Sequence, residues 1–140
     1  MPHTIDAESF NQRGAGYLPD LLGIKVNSVD KNLLLSELTV QKHHLAPNGY
    51  LHAGTVVTLA DTSCGYGCVA NLPEGAISFT TIELKSNFMG TAREGVVECE
   101  AKMVHGGRNT QVWDALVKHR DTGKLMATFR CTQMILYPKA

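Results

Sequence analysis

The fold of this chain is decided by one apolar stretch of mostly small residues, Gly54-Thr-Val-Val-Thr-Leu-Ala-Asp-Thr-Ser-Cys-Gly-Tyr-Gly-Cys-Val-Ala70. Helical spacing would place Asp61 on a face whose other members are apolar or glycine, namely Val57, Cys64, Gly65 and Cys68. A carboxylate on such a face loses water, which raises its pKa and costs stability. Asp61 is therefore either a structural residue bonded to a neighbouring threonine or loop amide, or a chemically active group.

Length and charge restrict the class of protein. The 140 residues are enough for one domain with a proper core, and we expect a single domain over 1–140 with a lead-in segment over 1–20. The 13 Lys and Arg balance the 13 Asp and Glu, which argues against nucleic-acid and membrane partners. No stretch is apolar enough to span a bilayer and the start lacks a signal peptide, so we expect a cytoplasmic protein.

The four cysteines and six histidines could indicate disulfides or a metal site. Cys64 and Cys68 lie in the helical stretch, whereas Cys99 and Cys131 occupy apolar positions of strand-like segments. No Cys-x-x-Cys pair occurs, and the pair His43-His44 does not belong to a His-x-x-x-His set. We predict core thiols in a reducing compartment and no metal.

Alternating hydrophobicity predicts strands on both sides of the helix. Apolar residues at 97, 99, 101 and 103 alternate with polar ones, which is typical of a strand with one buried face. Six strand-like segments are predicted, over residues 22–29, 33–40, 76–87, 96–105, 110–120 and 125–136. A lead-in helix over 5–18 is expected to be broken by Gly14, Gly16 and Pro19, and the long helix to end before Pro73.

This element order favours an α+β fold in which one antiparallel β-sheet wraps around a long central α-helix. Small residues such as Ala60, Gly65 and Gly67 would let the strands approach the helix closely. Because one sheet covers only one side of the helix, we expect a homo-oligomer, either a dimer or a dimer of dimers.

The start of the helical stretch offers a second candidate site. The Gly54 N–H lies at the positive end of the helix dipole and could polarise a carbonyl, or Ala53-Gly54 could simply form a tight turn. His52 could orient a substrate or bond the loop. The chain contains no Gly-x-Ser-x-Gly, Walker or Gly-x-Gly-x-x-Gly motif, which argues against serine hydrolases and nucleotide-binding folds.

At these residues the chain resembles the hotdog-fold acyl-CoA thioesterases of the 4HBT superfamily, most closely the phenylacetate-degradation (PaaI-like) group. The resemblance spans roughly residues 20–136. It is carried by Leu51-His-Ala-Gly54, Leu59-Ala-Asp-Thr62, Thr81-Ile-Glu-Leu84, Thr91-Ala-Arg-Glu-Gly95 and Val104-His-Gly-Gly-Arg-Asn-Thr-Gln-Val112.

The resemblance implies a hydrolase of medium-chain or aromatic acyl-CoA thioesters, with its active site at a dimer interface and no cofactor other than the CoA of the substrate. Asp61 takes the position of the catalytic carboxylate, which acts as general base or as nucleophile. Gly54 takes that of the amide that polarises the thioester carbonyl, His52 precedes it, and Thr81 matches a residue that positions water. Asn48 is the amide nearest to the family's usual Gln or Asn, which falls at Ala46.

The resemblance also implies contacts with CoA. The residues concerned are Asn87, Met89, Arg93, His105, Gly107 and Arg108. The two arginines have an alternative interpretation as solvated loop residues. Ala53 replaces the first glycine of the family motif, and Gly65 stands where some relatives have a hydroxyl residue.

Two other functions are compatible with this fold. A hotdog hydratase or dehydratase would act on a similar thioester, but its Gly-His-Phe-Pro loop is missing. A catalytically silent acyl-CoA-binding protein would keep the fold and lose the chemistry. The presence of both Asp61 and Gly54 argues against the silent protein, whereas Ala46 favours it.

Overall fold

The structure is a computed structural model that describes residues 5–139. Its six strands form one antiparallel sheet in the order β1-β2-β4-β5-β6-β3, and the long helix α3 packs against it. The elements are α1 (Ala7–Arg13), α2 (Leu18–Leu21), β1 (Lys25–Asp30), β2 (Leu33–Thr39), α3 (Ala53–Ala70), β3 (Ser78–Phe88), β4 (Val96–Gly106), β5 (Thr110–His119) and β6 (Leu125–Leu136). A 3-10 turn, Lys42–His44, precedes α3. The predicted α+β architecture is therefore confirmed.

Helix α3 is bounded by polar residues at both ends. His52 is the N-cap, so the helix begins at Ala53, one residue earlier than the predicted stretch. At the other end the Asn71 side chain donates to the Gly67 carbonyl at 2.8 Å. Both caps satisfy backbone groups that the helix itself leaves unpaired.

Two glycines of α3 make room for aromatic rings of the sheet. A Cβ added at Gly67 would lie 2.6 Å from Trp113, and one added at Gly65 would lie 3.0 Å from Phe79. No side chain fits at the first distance without displacing the ring. The predicted close approach of strands and helix is thus confirmed, and glycine is required for it.

The core lies between α3 and the inner face of the sheet. Along β4 the inward positions Val97, Cys99 and Ala101 are nearly inaccessible to solvent, as the alternation predicts. The four cysteines are buried and carry free thiols, as predicted: Cys64, Cys68, Cys99 and Cys131.

The lead-in segment differs from the single helix expected over 5–18. Helix α1 ends at Arg13, and Pro19 does not terminate a helix but lies in the first turn of α2. Proline is well placed there, because its missing N–H would have no helical partner. Strand β1 begins at Lys25 rather than at residue 22, since Leu22 caps α2 and Gly23 has a φ of +73°.

Strand β3 forms one edge of the sheet and is exposed along most of its length. Its partner on one side is β6, and its other edge has no strand beside it among the residues described. Within 5–139, α3 and the shorter helices all fall short of the length and hydrophobicity needed to cross a bilayer.

Candidate active site

Asp61 lies in the middle of α3 and is half-buried. Its Oδ1 atom is buried and makes no hydrogen bond to any residue between 5 and 139. Thr58, one turn earlier, donates its hydroxyl to the Gly54 carbonyl at 2.8 Å instead. Burial, which penalises the charged form, raises the pKa of Asp61. Asp61 is therefore a carboxylate whose pKa is raised by burial, and its buried oxygen lacks, within residues 5–139, the threonine or amide bond that a structural role would require.

The first turn of α3 is organised by two histidines. The Gly54 N–H donates to His52 Nδ1 at 2.7 Å, and the His52 N–H donates to the His44 carbonyl at 3.0 Å. Thr55 also donates its hydroxyl to that carbonyl, at 2.9 Å. In this arrangement the His52 ring nitrogen is the hydrogen-bond partner of the Gly54 N–H.

His44 is the buried support of this turn. Its Nδ1 accepts from the Gln41 N–H at 2.9 Å, which leaves Nε2 to donate to the Leu22 carbonyl at 2.7 Å. Burial lowers the pKa of His44, so the neutral ring is favoured. The neutral form is also the one that this pair of bonds requires.

Thr81 lies on the inner face of β3, and from the contacts of this strand with α3 we infer that it lies near the level of Asp61. The Phe79 ring contacts α3 at Gly65, whereas Phe88 shares a groove with Ala53 at the start of α3, so strand and helix run in opposite directions. Two strand residues and four helical residues both advance by about 6 Å. Moving from Phe79 to Thr81 therefore corresponds to moving from Gly65 to Asp61.

An apolar groove of about 360 Å³ lies at the N-terminal end of α3. Its lining is Asn48, Tyr50, Leu51, Ala53, Val56, Phe88, Gly90, Thr91 and Met126. The Asn48 Oδ1 accepts from the Tyr50 N–H at 3.1 Å in a local turn. The Arg93 guanidinium lies 4.2 Å from the centre of the Tyr50 ring, at the rim of this groove.

A second set of predicted residues lies at the opposite end of α3. His105 is the next-to-last residue of β4, and Gly107 and Arg108 belong to the β4–β5 connection. Three residues after Arg108, Gln111 donates to the carbonyl of Asn71, the C-cap of α3, at 2.8 Å. Because α3 has 18 residues and rises about 1.5 Å per residue, Arg93 and Arg108 are separated by roughly the whole helix length, about 27 Å.

The remaining predicted residues lie on β3 and just after it. Asn87 pairs with Thr128 and faces the outer side of the sheet, away from Asp61, where it borders a groove with Lys85 and Arg130. Met89 follows the strand and is half exposed. The fold thus brings Asp61, Thr81 and the first turn of α3 to one side of the sheet, and leaves Asn87 on the other.

One buried residue beside this site was not predicted from the sequence. Gln133 is fully buried on β6, and its Oε1 accepts from the Thr81 hydroxyl at 2.6 Å. The sequence does contain an indication of this residue. Alternation along β6 places Gln133 on the same inward face as the apolar Cys131 and Ile135.

Comparison with known proteins identifies the family. The profile described as 4HBT, thioesterase superfamily, matches residues 48–126. The chain is 32% identical over 115 residues to a 1,4-dihydroxy-2-naphthoyl-CoA hydrolase of Listeria monocytogenes, a match that covers 82% of this chain and 92% of the relative.

Solved structures agree. A mutant of thioesterase PA1618 from Pseudomonas aeruginosa superposes with a TM-score of 0.89, at 29% identity and with 96% of each chain covered. The Escherichia coli PaaI protein of the phenylacetic acid degradation operon superposes with a TM-score of 0.81, covering 91% of this chain and 90% of that one. At 22% sequence identity this match supports the shared fold. The chain belongs to the thioesterase superfamily, has the hotdog fold, and is a thioester hydrolase.

Proposed function

We propose that this protein hydrolyses acyl-CoA thioesters to the free acid and CoA, with Asp61 as the catalytic carboxylate. The observation that carries the proposal is the buried Oδ1 of Asp61, which has no hydrogen-bond partner among the described residues. An unsatisfied buried oxygen costs stability and is retained most readily where the reaction uses it. The raised pKa makes Asp61 a better proton acceptor than an exposed aspartate.

The chemistry follows from the surrounding groups. As a general base, Asp61 takes a proton from water while the water oxygen attacks the thioester carbonyl carbon. The C–S bond then breaks, and the proton on Asp61 passes to the departing CoA sulfur. As a nucleophile, Asp61 would attack the same carbon and break the C–S bond, so that CoA leaves as its thiolate. Water would then hydrolyse the resulting anhydride, which releases the free acid, restores the Asp61 carboxylate and supplies a proton to the CoA sulfur. In both routes a Gly54 N–H, released by rotation of His52, stabilises the carbonyl oxygen as it becomes negative. Gly54 and Asp61 of one chain lie about 10 Å apart along α3, so this N–H comes from the second subunit of the dimer proposed below.

We propose an aromatic acyl group in preference to a medium-length alkyl chain. The Listeria relative is named for a naphthoyl-CoA substrate. In this chain the groove at the start of α3 is lined by the apolar or aromatic side chains of Tyr50, Val56, Phe88 and Met126. Flat apolar walls of this kind suit a ring system.

The proposal includes a homodimer formed along β3. This edge strand leaves backbone groups unpaired, and Ile82, Leu84 and Phe88 expose large apolar side chains, between 43% and 53% accessible. A twofold axis near the middle of β3 would also bring Arg108 of the partner subunit towards the Arg93 end of this chain. One CoA could then contact both arginines, which a single chain holds at opposite ends of α3.

The decisive experiment measures free thiol release from a panel of aromatic and alkyl acyl-CoA substrates. Hydrolysis by the wild-type protein, lost in Asp61→Asn while acyl-CoA binding persists, would support the proposal. Binding without thiol release by the wild type would instead identify an acyl-CoA-binding protein, and loss of the thioester-conjugated double bond without thiol release would identify a hydratase.

The oligomeric part has its own test. Light scattering should give the mass of a dimer or of a dimer of dimers at working concentration, and Leu84→Asp on the β3 surface should lower both the mass and the activity. A folded, active monomer would overturn the shared site.

A further inference from the structure

Gln133 is a polar residue in a part of the core where an apolar residue would be expected. It is 0% exposed, on the inner face of β6 between Cys131 and Ile135. A buried amide costs stability unless both its ends are hydrogen-bonded. The identity of its partners therefore indicates why glutamine is present.

The strong partner of Gln133 is Thr81. The two residues are directly paired in the β3–β6 ladder, and the bond from Thr81 Oγ1 to Gln133 Oε1 measures 2.6 Å. The other end of the amide, Nε2, donates to the Cys131 sulfur at 3.4 Å. With Nε2 directed at the sulfur, Oε1 faces the threonine, so the hydroxyl must be the donor.

We infer that Gln133 is a positioning residue that fixes the Thr81 hydroxyl with its proton pointing away from Asp61 and its lone pairs available to the water beside that carboxylate. The inference rests on the proposed function of Asp61. Its geometric basis is that the contacts between β3 and α3 place Thr81 near the level of Asp61, and that the regular β3–β6 register is interrupted directly after Thr81.

The direction of the hydroxyl decides what Thr81 can do. As an acceptor it can hold one water proton while Asp61 takes the other, which aims the water oxygen at the substrate. As a donor it could bond Asp61 itself, stabilise the charged carboxylate and make it a weaker base. Gln133 prevents the second arrangement by engaging the only proton that Thr81 can donate.

The buried thiols in this part of the core do not compete for this role. Cys64 on α3 is close enough to Asp61 to be affected by its charge, and Cys64 also interacts with Cys131 on β6 and Cys99 on β4. Burial raises the pKa of Cys99 to about 12, and the hydrogen bond with Cys131 together with burial raises the pKa of Cys64, so both thiols remain neutral.

The sheet contains a matched control. Gln111 is the direct neighbour of Gln133 in the β5–β6 ladder and is equally buried, at 1% exposure. It accepts from the Trp113 indole at 2.8 Å and donates to the Asn71 carbonyl at 2.8 Å, and it has no bond to Thr81. Gln111→Met should therefore cost stability without changing the chemistry.

The experiment compares Gln133→Met with Gln111→Met in the full chain, using an acyl-CoA that the wild type hydrolyses. Gln133→Met should lower kcat by about tenfold or more with KM unchanged, as expected when a reacting water is misplaced. It should also move the acidic limb of the plot of kcat against pH to lower pH. The released Thr81 hydroxyl would donate to Asp61 and stabilise its charged form. Gln111→Met should leave kcat and the limb as in the wild type.

A double-mutant cycle with Thr81→Val tests whether Gln133 acts through Thr81. The expected result is that Gln133→Met has no further effect on kcat once the hydroxyl is gone. If Gln133→Met does not fold, Gln133→Asn replaces it, since the shorter amide keeps the polarity but withdraws the acceptor from Thr81.

Equal behaviour of the Gln133 and Gln111 variants, or independent effects of Gln133→Met and Thr81→Val, would overturn the inference. Full activity of Asp61→Asn would overturn the proposed function instead, so the two failures are distinguishable.

Discussion

Two polar residues of α3 stand only two positions apart and are treated differently by the fold. Ser63 is fully buried, donates to the Leu59 carbonyl at 2.7 Å and contacts the Ser36 hydroxyl at 2.6 Å. Asp61 is half-buried, and its Oδ1 has no partner among the described residues. The core therefore provides hydrogen-bond partners for the Ser63 hydroxyl, whereas the buried oxygen of Asp61 loses water and gains no partner within residues 5–139 to compensate. Of the two, Ser63 has the environment of a structural residue and Asp61 that of a reactive one.

The largest expected effect separates these two residues directly. Asp61→Asn should lower kcat by about 10² or more with the fold intact, because it removes the base or nucleophile. Ser63→Ala should leave kcat near the wild-type value and lower the free energy of unfolding by about 1–3 kcal/mol, since the buried Ser36 hydroxyl loses its partner. Thiol-release kinetics and thermal melts measure both. Wild-type turnover by purified Asp61→Asn would remove the distinction.

The next effect concerns binding at the two ends of α3. Arg93→Ala and Arg108→Ala should each raise KM for acyl-CoA by roughly tenfold to a hundredfold, the amount expected from losing a charge-assisted phosphate bond of about 1.5–3 kcal/mol. The kcat should hardly change, because the phosphates are remote from the reacting carbon.

Two controls accompany this prediction. The acyl-N-acetylcysteamine thioester has no nucleotide or phosphates, so its KM should be insensitive to both changes. Arg120→Ala should also have no effect on KM, since Arg120 is paired with Glu37 and Glu98. If the KM values of both substrates rise equally, Arg93 and Arg108 do not bind the CoA phosphates.

A third effect belongs to the packed side of the helix. Gly67→Ala should lower the free energy of unfolding by about 1–3 kcal/mol, because its Cβ would lie 2.6 Å from the Trp113 ring. Turnover of the folded protein should be retained. In the Trp113→Phe background, Gly67→Ala should lower the free energy of unfolding by less, because fewer ring atoms are displaced. Denaturant unfolding of the four proteins checks this, and additive losses would show that the ring is not the obstacle.

The smallest effect is the pH dependence of the stability that the protein loses by burying the charged Asp61 carboxylate. Burial raises its pKa in the folded protein, whereas the unfolded carboxyl titrates near its ordinary value of 3.8. Both states are protonated below that pH, so the cost is absent there; it grows as the pH rises towards the folded pKa and is complete above it.

Asp61→Asn should therefore melt at a higher temperature than the wild type at pH 7, and the difference should shrink as the pH is lowered towards 4. Melting curves at several pH values measure it. A difference that is constant with pH, or of opposite sign, would mean that the folded protein compensates the Asp61 charge.

The sequence predicted most of the architecture because the signals are local. The alternation along β4 and the small residues of α3 depend on neighbours a few positions apart, and both elements form with nearly the predicted bounds. The lead-in segment was less predictable. Pro19 can end one helix or begin the next, and only the path of the chain into β1 selects the second.

Asp61 as a candidate followed from the sequence alone, whereas the condition of its carboxylate depended on the tertiary structure. The same is true of Gly54. Its position at the start of the helix made it a candidate, but only the structure shows that its N–H donates to His52. It is also true of Thr81, whose partner Gln133 is 52 residues away. Hydrophobic periodicity is a property of short segments and can be read from the chain, but hydrogen-bond partners depend on which strands pair and in which register. For this protein the sequence therefore determined the elements and the reactive residue types, and the tertiary structure decided which polar atoms are satisfied and which remain available for chemistry.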